Sequence, residues 1–344
     1  MSNFAFSRIY HLQVIDKGET ISTQITVAPE EFISGAVGDA ITAQVPTPLT
    51  PSTPRSTKTS TSLSLAEVTF NRLEAKIKFS GVSSVASSDT HVIKLYNLDR
   101  ETISFIRRSG AKIILRAGYK GQYPNTPPNR LPEVFKGEVA TSRVVRDGSN
   151  TVTELTLSSA ITERKRATVS EYFLPSESLV NVLSKIAKKL DLPYTINIGD
   201  KSSLTLGKQK SWSGCVLDVL DRIALEYGLR VYIINEVLII EEFASPILDE
   251  AKKITVIEIN KERIKGSISL STDHTKTEIG DETEEVDFTM FLEPRVVVGT
   301  VIRLEVEGKT SDFKVESVMH RLDTHGAAWD TVVSGKGVRT KKIT

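Results

Sequence analysis

Through its first 165 residues the chain alternates apolar and polar positions with period two, in the segments RIYHLQVID, TISTQITV, RLEAKIKFS, HVIKLYNL, AKIILRAGY, VFKGEVATSRVV and TVTELTLSS. Alternation rich in Val, Ile, Thr and Tyr, with turn residues between segments, predicts antiparallel strands buried on one face. A sandwich or barrel follows. One interruption has helical signals: in Asp99 to Gly110 the aspartate can cap the first free amides, Glu101 suits the positive helix end, and Gly110 can terminate the turn.

From about Ser170 the period changes. Leu179, Leu183, Ile186 and Leu190 recur at helical spacing, and so do Val216, Val219, Ile223 and Tyr227. Each helix precedes a strand, Tyr194 to Ile198 and Arg230 to Ile234. The second strand turns at Asn235 and Glu236 into Val237 to Glu241. The last hundred residues return to strands: KITVIEI, GSISLST, EVDFTMFLE, VIRLEVEG, FKVESVMH and AWDTVVSG. The pattern therefore predicts a mainly β chain with a small α/β module: a β-barrel over residues 1–168, the module over 169–248 and a second barrel over 249–344. Neither barrel is a visible sequence repeat of the other.

Composition adds three constraints. Between the second and third strands, residues 35–63 are dominated by Pro, Thr and Ser, with Pro46, Pro48, Pro51 and Pro54. Such a stretch buries too little apolar surface to offset its ordering entropy, and its length suits either an arm laid on a neighbouring subunit or a plain flexible insertion. Cys215 is the one cysteine among 344 residues, which excludes an internal disulfide and a multi-cysteine zinc site. No apolar run approaches the roughly 20 residues that cross a bilayer, and the first residues lack a basic-then-apolar leader pattern. Folding in the cytoplasm of the producing cell, with no membrane contact, is the expectation.

The net charge of +1 gives no global attraction to nucleic acid or lipid. It is divided, however: residues 1–167 carry 21 basic and 15 acidic side chains, and residues 168–344 carry 23 and 28. A split of this kind fits a chance spread of solvated charges, or a means of orienting one chain against its neighbours.

Candidate chemistry is sparse. His320, Asp323 and His325 fall within six residues and have metal-ligand character, but a catalytic zinc needs three converging ligands and an open position. The turn DTHG between the strands FKVESVMH and AWDTVV accounts for all three as one hairpin. His11, His91 and His274 stand alone, the run DETEEVD at 281–287 fits a solvated loop, and Gly-x-Ser-x-Gly and phosphate-loop patterns are missing. SWSGC at 211–215 fits a strand end and helix start with Cys215 packed. The triplet Arg164-Lys165-Arg166 and an aromatic content of 6% do not make a nucleic-acid surface.

Two stretches resemble one family. In the first, a strand ending Asn97-Leu98 leads into a helix beginning Asp99-x-Glu101-Thr102, and Ala117-Gly118-Tyr119 precedes Phe135-x-Gly137. In the second, Pro294 and Gly299 introduce a strand, and Val315-x-x-Val318-x-His320 precedes a turn and Trp329-x-Thr331. These resemble the baseplate hub proteins of contractile phage tails, in the Mu-like and T-even phages and in contractile injection machines. The resemblance implies two tail-tube-like barrels flanking the α/β module, in a structural virion protein without catalytic residues or cofactor. It implies a homotrimer that adapts a hexameric tail tube protein to a trimeric spike protein beside baseplate wedge proteins, with DNA passing through the lumen unrecognised. DETEEVD then becomes a candidate lumen or interface segment. Two other classes stay open: a metal-dependent hydrolase using His320, Asp323 and His325, and a carbohydrate- or receptor-binding tail component with aromatic platforms.

Overall fold

The computed structural model describes residues 8–16, 19–27, 72–81, 91–108, 110–242, 247–248, 256–273, 283–306 and 308–340. The arm at 35–63, His274, and Asp281 and Glu282 of the acidic run lie outside them.

The first half follows the alternating pattern closely. Its elements are β1 (Arg8–Asp16), β2 (Glu19–Val27), β3 (Arg72–Ser80), β4 (His91–Tyr96), α1 (Arg100–Ile106), β5 (Lys112–Tyr119), β6 (Glu133–Asp147) and β7 (Asn150–Ser158). Leu73, Ala75, Ile77 and Phe79 of β3 are buried in alternation with exposed or half-buried Lys76 and Lys78. α1 is capped as expected: Asp99 accepts from Thr102 N at 2.7 Å and from the Thr102 hydroxyl at 2.7 Å.

The module comprises α2 (Ile161–Arg166), β8 (Thr168–Phe173), α3 (Leu179–Ala187), β9 (Tyr194–Asn197), β10 (Lys210–Cys215), α4 (Val216–Tyr227), β11 (Leu229–Ile234) and β12 (Val237–Glu242). The basic triplet 164–166 is thus the end of a short helix, where cations suit the negative pole. The buried faces of α3 and α4 pack with Phe173, Trp212, Val231 and Leu238 in a core of their own. The β11–β12 hairpin reaches beyond it. Tyr232 and Ile234 join the main β core, and Asn235 and Glu236 form the tight turn with positive φ at both positions.

The rest is β13 (Ile247–Leu248), β14 (Val256–Ile259), β15 (Ile264–Asp273), β16 (Thr283–Phe291), β17 (Val301–Val306), β18 (Lys309–Asp323), β19 (Trp329–Gly337) and β20 (Arg339–Thr340). Glu284 to Asp287 of the acidic run belong to β16 rather than to a solvated loop. Val286, Phe288 and Met290 supply that strand with a buried face, so the alternation outweighs the charge.

The two β halves join into one thirteen-stranded sheet, ordered β15-β16-β19-β18-β3-β4-β7-β6-β5-β1-β2, with β17 beside β18 and β14 beside β17. A single apolar core runs through both halves, from Tyr10 to Val333. No closed barrel is present among the described residues; β3 pairs with β18 instead of closing its own half.

Each half nevertheless contributes four strands in the same order: β15-β16-β19-β18, then β3-β4-β7-β6. The fourth strand is 15 residues long in both. In both it carries a register break, at Val315/Ser317 in β18 and at Val139/Thr141 in β6. Before the break each pairs on its second edge with an outer strand, β17 in one half and β5 in the other. The halves are topological repeats.

Candidate assembly site

The seam between the halves gathers most of the motif residues. β18 runs antiparallel to β3 from Ser317↔Ser80 to Asp323↔Glu74, and the β18–β19 hairpin tip folds over the start of β3. Arg72 grips Asp323 with two hydrogen bonds, of 3.1 and 2.6 Å. Leu73 N donates to the Thr324 hydroxyl, and Thr324 N donates to Leu73 O, both at 3.0 Å. Arg8 of β1 donates to Asp323 O at 2.8 Å, with its guanidinium 5.6 Å from the Trp329 ring centroid. Burial would raise the Asp323 carboxyl, but the Arg72 guanidinium and the amides of His325 and Gly326 prevail and hold it below the usual carboxylate range.

Beneath this clasp lies a buried polar node. His320 is 1% exposed, and its Nδ1 lies 3.0 Å from the Thr331 hydroxyl. That hydroxyl accepts from Glu293 N at 3.0 Å. The Glu293 carboxylate, fully buried, receives Arg295 through two bonds of 2.8 Å, Arg263 at 2.8 Å and Gln122 at 2.9 Å. Burial opposes its charge, and the two arginines overcome it, bringing its pKa down to about 2. Tyr119 closes the node by donating to Trp329 O at 2.6 Å. Burial pushes His320 down to about 4, with Glu293 opposing, so the imidazole is neutral at pH 7.

The motif residues therefore hold structure. Asn97, in a left-handed turn, exchanges backbone and side-chain hydrogen bonds with Thr151. Leu98, Tyr119, Phe135, Pro294 and Trp329 are buried. Gly118 lies in β5 and Glu101 in the first turn of α1. At Gly137 a Cβ would stand 2.7 Å from Ser158 O. At Gly299, with φ +85°, it would stand 2.8 Å from the Tyr232 hydroxyl. The sequence does not single out Glu293, Arg263, Arg295, Arg8 or Arg72, because a charged residue beside the apolar run FLEP reads as a strand end.

His320 and His325 do not converge: one is buried in β18 and the other exposed at the hairpin tip. Among the described residues no group of three His, Cys, Asp or Glu side chains is placed to hold a metal ion. Trp212 and Trp329 are both buried, at 7% and 1% exposure, so neither forms an open aromatic platform. Cys215 lies half-buried at the β10–α4 corner, its thiol 3.8 Å from Arg164 O.

The module is fastened to both halves by ion pairs. Glu236 meets Lys112 at 2.7 Å and Lys136 at 3.0 Å in the first half. Arg230 meets Glu316 at 2.6 Å, and Glu241 meets Lys314 at 2.8 Å, in the second.

Four edges of the main sheet remain open among the described residues: β2 has only β1 beside it and β14 only β17, and two more lie on the four-stranded units. After the β5 ladder ends at Lys112↔Glu138, β6 continues to Asp147 with only β7 beside it, and β15 has only β16. Val144 on the first edge is 42% exposed and Leu270 on the second 41%.

Comparisons with known proteins agree with this architecture. Residues 93–311 match the family model described as baseplate hub gp41. A tail protein from Neisseria meningitidis MC58 superposes with a TM-score of 0.50 at 11% identity, covering 95% of this chain and 96% of that one. The 43 kDa tail protein of prophage MuSo2 from Shewanella oneidensis gives 0.50 at 10% identity, covering 79% and 93%. The E. coli c3393 protein, a component of the type VI secretion system described as similar to the T4 tail proteins gp27 and gp5, gives 0.51 at 8% identity, covering 80% and 74%. Among curated protein sequences there is no match.

Proposed function

The chain belongs to the baseplate hub gp41 family of phage tail proteins, and from that premise we propose that three copies close into a ring at the centre of the baseplate. One observation carries the proposal: each chain sets two four-stranded units of the same order side by side in one sheet. Three such chains present six units, matching a hexameric tail tube protein on one side, while the ring keeps the threefold symmetry of a trimeric spike protein on the other. Each half corresponds to one tube-like domain of the hub, with 169–248 as the module between them. Baseplate wedge proteins would surround the ring. The protein would assemble in the host cytoplasm and remain in the virion.

The solvent face of the eight strands in the two four-stranded units suits a channel wall. In register across the strands it presents Asp323, Glu74, Lys94, Glu154 and Arg143, and a second row of Ser80, Ser317, Ser334, Asp287 and Ser269. Mixed charge and short hydroxyls give passing DNA no continuous cationic strip on which to stall. Around the ring the basic first half of one chain would meet the acidic second half of the next.

Native mass spectrometry of the full chain tests the stoichiometry. The proposal expects a species of three times the 37.9 kDa chain mass. A two-fold or four-fold closed assembly would contradict it.

A further inference from the structure

Four of the six large apolar side chains left exposed among the described residues lie on the α/β module: Tyr172, Leu174, Leu204 and Leu225. The first three sit on one structure. β8 and β10 form a two-stranded antiparallel ribbon of their own, from Thr168↔Cys215 to Phe173↔Lys210. The same register continues to the Ser178↔Thr205 bridge and to Leu179 N, which donates to Leu204 O at 2.9 Å. One face of the ribbon is buried, with Val169, Phe173 and Trp212 in the module core beside α3 and α4. The other face sets Ser170 and Tyr172 opposite Ser213 and Ser211, all exposed, and Leu174 continues it two residues on. Serines opposite a tyrosine are too short to cover its ring, so Tyr172 is 53% exposed and Leu174 58%.

The two edges of the ribbon differ. On β10, Ser213 O receives the Arg222 guanidinium of α4 at 3.1 Å. β8 has β10 on one side and no strand on the other among the described residues, and it contains no proline to block strand addition. Charge then selects the kind of strand that fits. The carboxylates around the ribbon are already paired within the chain: Glu171 with Lys189 at 2.9 Å, Glu177 with Lys185 at 2.5 Å, and Glu226 with Lys210. Exposed Lys165 and Arg166 ahead of β8, and exposed Lys208 ahead of β10, have no ion pair among the described residues. Because the strands are antiparallel, these cations stand at opposite ends of the ribbon.

An uncharged, partly apolar face with unpaired cations at both ends complements a segment that is apolar in its centre and acidic at its ends. We infer that β8 takes an extended acidic segment of another protein as a third strand of the ribbon. Alternate apolar side chains of that segment lie beside Tyr172 and Leu174, and its carboxylates meet Lys165, Arg166 and Lys208. One exposed aromatic ring supplies no succession of stacking platforms, which favours a protein segment over a nucleic-acid strand. None of these residues belongs to the four-stranded units, so the site is independent of the ring and of its closure.

The probe is a short fluorescein-labelled peptide that alternates valine with threonine between paired glutamates at its two ends; a control peptide carries lysines in their place. The full-length chain should bind the acidic peptide, with the amides of 168–173 exchanging more slowly in its presence, and should bind the lysine peptide at least about tenfold more weakly. Tyr172→Ser with Leu174→Ser should weaken the acidic peptide by about tenfold or more, and Arg166→Glu with Lys208→Glu should do the same. All four side chains are exposed, so the circular dichroism of these variants should match that of the parent chain. Equal binding of the two peptides, binding of neither, or acidic-peptide binding that ignores Tyr172→Ser with Leu174→Ser overturns the site. Displacement of the acidic peptide by a single-stranded oligothymidylate that binds more tightly overturns the protein partner in favour of nucleic acid. Native mass of the same samples reads the ring separately, so its failure and the failure of this site are distinguishable.

Discussion

His320 shows how one residue can look catalytic in sequence and be structural in space. Its imidazole is enclosed and neutral, and His11 and His91 share that condition. Burial lowers His11 to about 4, with Arg116 adding to the effect, and lowers His91 to about 3, with Arg164 adding. The His91 ring is held 4.8 Å from Phe79 and 4.7 Å from Phe135. A histidine whose folded pKa lies below its ordinary 6.5 binds its proton more readily when unfolded. Its stabilisation is therefore complete above pH 6.5 and is lost as pH falls toward 4. For His320 the interval is worth about 3 kcal/mol. Urea denaturation should show a midpoint that is flat from pH 8 to 7 and falls steadily from about 6.5 to 4, with a shallower slope in His320→Asn. A midpoint independent of pH over that interval would contradict the buried neutral state. Tyr119→Phe removes the shortest of three hydrogen bonds that Trp329 O accepts, leaving those from Leu292 N and Lys265, and should cost about 1 kcal/mol by the same measurement. At this scale Tyr119, His320 and Trp329 stand out in the sequence only through their resemblance to a family pattern. Glu293 does not stand out, since the partners of its carboxylate are residues 122, 263 and 295, distant or undistinguished in sequence.

Individual strands and helices were readable because each depends on local periodicity. The alternation of β3 and β18 gave their buried faces, and Leu179, Leu183 and Ile186 gave the buried stripe of α3. β8 was missed: TVSEYF buries only Val169 and Phe173, too few positions to establish a period. The duplication was also hidden. Its evidence lies in which strand pairs with which and where the ladder breaks, while matched positions such as Lys76 and Ser269 share no side-chain chemistry. The wedge formed by β11 and β12 combines both kinds of information: the Asn235-Glu236 turn is a sequence signal, but its contacts with Lys112 and Lys136 come from the fold. The Pro/Thr/Ser segment at 35–63 belongs to this scale as well. If it clamps a neighbouring subunit, excision of residues 40–62 should weaken ring assembly in sedimentation experiments and leave the chain's circular dichroism and urea midpoint unchanged. Equal assembly with and without the segment would reject the clamp.

At the scale of the molecule, the mainly β class and the central module follow from the change of period along the chain. The continuous sheet follows from pairing that no local pattern encodes. The seam between the halves is held by the Arg72–Asp323 clasp and the Glu293 node, and the module bridges the two with ion pairs on each side. Among the described residues the two halves thus share one sheet and one apolar core. In the proposed ring, the angle set within each chain would be the angle that the joints between chains must repeat. Cryo-microscopy of the assembled tail baseplate tests this most directly. The account predicts three copies around the axis, with six four-stranded units forming one uninterrupted strand ring about the channel. Density placing the protein away from the axis, or one four-stranded unit per chain on the ring, would contradict it.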